Sequence, residues 1–146
     1  EIAIQALEAL DYAHVNGILH GDLRPQDVIV GPEGEVQVTD FGLSHALRAH
    51  PEIADRHAMR SVHYQAPEIA EGAEPSVAAD IYSVGAMFYE MVTGVVPFEG
   101  ATAVAVAIKQ ARDLPAPPRS INTGVPKSLS DAIMRAIEKR IMLFKK

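Results

Sequence analysis

ILHGDLRPQDVIVGPEGEVQVTDFG, residues 18–42, is the stretch that decides how this chain is read. It carries four side chains suited to a phosphate and its metal: Asp22, Arg24, Asp27 and Asp40. The apolar run VIV follows the first three, GPEG supplies turn residues, and VQV alternates before Asp40. Two short strands joined by a tight turn would bring Asp40 back beside Asp22 and Asp27. Acids held that close repel one another unless a cation lies between them. Hard oxygen ligands of this kind suit magnesium.

The 146 residues make one domain or part of a larger one. At 48% hydrophobic the chain can build a core. A net charge of −6 argues against a general affinity for nucleic acid or anionic membrane. There is no cysteine, which excludes a disulfide framework and thiolate zinc sites. No apolar run approaches a membrane span and no signal-peptide pattern opens the chain. We expect a cytoplasmic domain, with any membrane anchor outside this segment. The chain opens at Glu1 without methionine and already reads as helix. The N-terminal part of a longer protein is therefore expected to be missing.

Outward from the central stretch, residues 1–15 read as an amphipathic helix with Ile2, Ala6, Leu10 and Ala13 on one face. Asn16 and Gly17 end it. Residues 43–65 have mixed polarity and poor periodicity, as in a long loop. Ala66–Ala70 suggests a short helical turn. The helix over Val77–Val92 is the most apolar, with only Asp80 and Glu90 charged. A buried Asp80 must accept several hydrogen bonds, so a loop with free N–H groups is predicted against it. Thr93-Gly94 stops that helix. Ala101–Ala111 reads as helix from its length and alanine content. Residues 113–127, with four prolines, read as loop. The last helix follows, with Ser128 and Asp131 at capping spacing and Leu129, Ala132, Ile133, Ala136 and Ile137 inward. Lys139 and Arg140 suit its C-terminal dipole.

Together these residues resemble the eukaryotic-type protein kinases, as found in bacterial serine/threonine kinases. HGDLRPQD (His20–Asp27) is similar to the catalytic-loop pattern H-R-D-L-K-P-x-N. DFG stands at Asp40–Gly42 and APE at Ala66–Glu68. DIYSVG from Asp80 is similar to the start of the family's long central helix, and Gly94, Pro97 and Phe98 match its G-x-x-P-F exit. Any one triplet is weak, but five in order across residues 20–98 are strong. The resemblance implies a mainly α (α+β) C-terminal lobe, a helical bundle with a small β-hairpin at the catalytic loop. The whole of 1–146 would be a partial kinase domain: catalytic loop 20–27, activation segment 40–68, central helix about 77–92.

The resemblance also implies roles. Asp22 would be the catalytic base and Arg24 would contact the transferred phosphate in place of a lysine. Asp27, in place of an asparagine, and Asp40 would hold Mg2+ or Mn2+, with ATP as co-substrate. Ser61 would brace Asp22 where the protein substrate lies. His20 and Phe41 would link the two loops, with Gly42 behind them. Asp80 would accept hydrogen bonds from the catalytic-loop backbone. Glu68 would need an arginine, for which Arg119, Arg135 and Arg140 are candidates. The implied partners are a protein substrate and the missing N-terminal lobe, with no nucleic acid and no membrane segment in this chain.

Departures from the pattern shape the expectation. Gly21 replaces the arginine that meets a phosphorylated activation loop, and residues 45–60 contain no serine, threonine or tyrosine. The loop is therefore expected not to be switched by phosphorylation. Asp27 keeps an oxygen ligand but adds a negative charge. The glycine-rich loop, strand lysine and helix glutamate are not in this sequence. Little kinase activity is expected of these residues alone. The leading reading is a serine/threonine protein kinase. A pseudokinase or scaffold is second. A small-molecule kinase of the aminoglycoside or choline type, whose loop often reads H-G-D, is third because residues 40–68 follow the protein-kinase order. The histidines His14, His45, His50, His57 and His63 lack ligand spacing and are expected to be solvated or packing residues.

Overall fold

A computed structural model describes residues 1–43, 45, 50 and 61–138. The readings made on Ser44, His57, Lys139, Arg140 and most of the 45–60 stretch lie outside the described residues. The remainder is a helical lobe with one small antiparallel sheet: α1 (Ile2–Val15), a 3-10 turn at Pro25–Asp27, β1 (Val28–Val30), β2 (Val36–Val38), α2 (Pro67–Ala70), α3 (Val77–Thr93), α4 (Ala103–Arg112), α5 (Pro118–Ile121) and α6 (Lys127–Ala136). No helix among the described residues is long and apolar enough to cross a membrane.

Helix α3 is the axis of the core. Ser76 caps it, its Oγ accepting from the Ala79 amide at 3.1 Å, and left-handed Gly94 (φ 78°) ends it. Its buried residues, from Ala79 to Tyr89, meet Leu10 of α1, Leu23 of the central loop and Ile133 and Ile137 at α6. Closest approach falls at Gly85. A β-carbon there would sit 2.7 Å from Ala136 Cβ and 2.8 Å from Ile137 Cγ2, so α6 packs where α3 has no side chain. Gly85→Ala would force the two helices apart.

The hairpin pairs Val28 with Val38 and Val30 with Val36. It is tied to α1 through Gln5, whose Nε2 donates to Gly34 O at 3.0 Å and whose Oε1 accepts from Val36 N at 3.0 Å. Three expectations need correction. The 113–127 stretch is not all loop, because Pro118 starts the turn α5, where its missing N–H costs nothing. Ser128 does not cap α6. The helix starts one residue earlier behind Pro126, and Asp131 pairs with Lys127 at 2.5 Å instead. The inward face of α6 is Ser130, Ile133 and Ile137; Leu129 and Ala132 are exposed. At about 100° per residue, Ser130, Ile133 and Ile137 share one narrow stripe, and Leu129 and Ala132 fall to one side of it.

Candidate functional site

Asp80 is 1% exposed and accepts three hydrogen bonds. The amides of His20 and Gly21 donate to it at 2.9 and 2.8 Å, and His14 Nε2 lies 2.8 Å from Oδ2. The two amides are the free loop donors that a buried carboxylate on this helix demanded. Gly21 has φ 79°, a conformation where a β-carbon is strained. Glycine at this position therefore has a backbone use as well as being a departure from the family pattern. His14 was missed: read as a solvated or packing residue, it is instead only 10% exposed and bonded to Asp80. The signal was its place on the buried side of α1, next to Ala13.

His20 links two loops. Its Nε2 lies 2.8 Å from the Thr39 carbonyl, an acceptor, so Nε2 carries the proton. Thr39 directly precedes Asp40. The His20 and Phe41 rings lie 4.9 Å apart, tilted by 53°. Asp40 itself is exposed with φ 62°, a left-handed conformation that aspartate tolerates better than most side chains. Thr39 N also donates to the Asp27 carbonyl at 2.8 Å. The hairpin and these bonds bring the 20–27 and 39–42 segments side by side.

Asp27 is 2% exposed. Its Oδ2 accepts from the Arg24 amide at 3.1 Å, and its Oδ1 lies 3.5 Å from Arg24 Nε. Burial pushes its carboxyl above the usual range, against the pull of Arg24, His20 and the Arg24 amide, with the charge of Asp40 adding to the rise. Asp22 and Arg24 are half-buried, on either side of fully buried Leu23. Among the described residues no three acids or histidines make a closed cage for an ion. Magnesium rarely needs one, since it takes one or two carboxylates and fills its shell with phosphate and water. Asp27 and Asp40, two hard carboxylates whose like charges repel each other, fit that donor set.

Ser61 is buried, and its carbonyl accepts from Tyr64 N and Gln65 N at 2.9 and 3.1 Å. Tyr64 OH donates to Glu90 Oε2 at 2.7 Å, and burial with that bond pushes its phenol up. Glu68 is half-buried; among the described residues neither Arg119 nor Arg135 pairs with it. Its charge instead acts on Tyr82, whose phenol is raised first by burial and then by Glu68. Gly42 is exposed beyond Phe41.

A helical lobe with this hairpin and these paired loops is the class of structure that the motif order implied, and the family profile for the protein kinase domain matches residues 1–143. The chain belongs to the protein kinase domain family. Among its curated relatives is a probable serine/threonine-protein kinase of Clostridium perfringens, 44% identical over 94% of this chain and 20% of the relative. A probable serine/threonine-protein kinase PknB of Lactococcus lactis is 40% identical over 97% of this chain and 22% of that protein. Serine/threonine-protein kinase PrkC of Bacillus subtilis is 34% identical over 92% and 21%. The chain thus spans about a fifth of the length of these relatives.

Proposed function

We propose that these residues form the large-lobe half of a serine/threonine protein kinase that transfers the γ-phosphoryl group of ATP to a protein hydroxyl. The observation that carries this is His20, which bonds Asp80 on one side and the Thr39 carbonyl on the other. It sets the loop of Asp22 and the loop of Asp40 on one frame. Asp22 takes the proton of the attacking hydroxyl. Arg24 sets a positive charge beside the phosphate. Asp27 and Asp40 would hold Mg2+ or Mn2+, which neutralises phosphate charge when bound. Ser61 braces Asp22 where the protein substrate lies. Phe41, Gly42, Glu68 and Asp80 support the loops.

The test is steady-state kinetics of the purified full-length protein. Asp22→Asn should lower kcat by about 10²–10⁴-fold with nucleotide binding retained. Activity within about threefold of wild type would refute the role of Asp22. One observation favours a second reading, a scaffold that keeps the fold without transfer: burial disfavours the charged, metal-binding form of Asp27. A stable full-length wild type that transfers no phosphate under any divalent metal would establish that reading instead.

A further inference from the structure

The most enclosed position of α4 holds a glutamine where an apolar residue would be expected. Gln110 is 0% exposed. Its Nε2 donates to the Val62 carbonyl at 2.7 Å, across 48 residues of sequence. A carbonyl only accepts, so the amide nitrogen must face it and Oε1 turns the other way. Oε1 has no hydrogen-bond partner there among the described residues. A methionine would fill similar space without an orphan acceptor. The molecule instead tolerates a buried unpaired oxygen where the compensation is a grip on one carbonyl.

That carbonyl lies next to Ser61. Val62 packs with Phe98 and Val106, with Ala103 against them. His63 Nδ1 meets the Phe98 carbonyl at 3.1 Å. Gly100 closes the seam, since a β-carbon there would fall 2.9 Å from Val106 N. The start of the 61–65 segment is therefore fastened to α4 and the loop before it. Gln110 supplies a directional bond within an otherwise apolar contact, and a directional bond fixes where a backbone sits, which apolar packing alone does less well.

We propose that Gln110 is a positioning residue for the protein substrate. It touches no reacting atom. By holding Val62 it sets the backbone of the Ser61 segment against which the substrate lies. This deepens the function proposed above and rests on it.

Gln110→Met in the full-length protein keeps the side chain's size and deletes the donor. The KM for a peptide substrate should rise about three- to tenfold, the scale of one lost hydrogen bond. The kcat and the KM for ATP should stay within about twofold. Amide hydrogen exchange across residues 62–65 should quicken. Ile133→Val, which loosens the contact of α3 with α6 elsewhere in the core, should change neither the peptide KM nor that exchange. Wild-type exchange and wild-type peptide KM in Gln110→Met would overturn the proposal. So would an equal fall in kcat for both variants, which is the mark of general loosening. A wild type without transfer would refute the kinase reading, and the substrate role with it. The exchange comparison would then decide separately whether Gln110 holds the segment.

Discussion

Asp80 and Asp27 are two carboxylates of the same site, nearly equally hidden at 1% and 2% exposure, yet they are held in opposite ways. Asp80 sits in the first turn of α3 and receives two backbone amides and a histidine. Asp27 ends a 3-10 turn and receives one amide at 3.1 Å, with a guanidinium nitrogen at 3.5 Å. Burial pushes Asp27 up in pKa because that donor set does not offset the lost hydration. Equal burial thus hides unequal satisfaction. The well-donated carboxylate is a strut between α3 and the 20–21 loop, and the under-donated one holds its proton more tightly.

The comparison can be broken by substitution. The largest effect is expected at Asp80. Asp80→Ala strands two buried amides and His14, and should cost about 3–5 kcal/mol, the scale of removing one member of a buried charged network. Urea unfolding with an unchanged m-value checks this. His14→Ala leaves Asp80 with its two backbone donors and should cost about 1–3 kcal/mol. Finding no loss would mean that His14 only fills space. Gly21→Ala places a β-carbon at φ 79° and should cost about 1–2 kcal/mol.

The smallest effect, and the one of opposite sign, is at Asp27. Its proton is bound more tightly in the folded than in the unfolded chain. The stability from this is full below the unfolded carboxyl value and is lost as pH rises through the raised native value. Asp27→Asn removes the ionisation. The melting temperature of the variant minus that of wild type should therefore increase from about pH 3 to about pH 8. A difference that is flat or falls with pH would show that Asp27 is as well satisfied as Asp80.

The sequence made some of this legible for physical reasons. A lone aspartate in the apolar run 77–92 has few ways to exist, so its need for loop amides followed without a structure. The hairpin was legible because VIV and VQV flank a turn of glycine and proline. The place of His14 beside Ala13 on α1 hinted at its burial, but its partner was not legible, because Asp80 is 66 residues away. The role of Gln110 was not legible either, since the Val62 carbonyl that it meets lies 48 residues away on another segment. The start of α6 was misread because the Ser128–Asp131 spacing imitates a capping box, whereas the helix begins one residue sooner at Lys127, with Pro126 at the N-cap. Gly21 read first as an absent arginine; its positive φ is a property of the backbone that residue identity alone did not settle.

The central claim is that the Asp40 loop, joined through His20 to the loop of Asp22, serves phosphoryl transfer. The direct measurement is label from γ-labelled ATP, with Mg2+, transferred by the full-length protein and resolved by phosphoamino-acid analysis, wild type beside Asp40→Asn. The account predicts phosphoserine or phosphothreonine from wild type and about a hundredfold less from Asp40→Asn, the scale of removing one group that stabilises transition-state charge. Equal label from both proteins would contradict it.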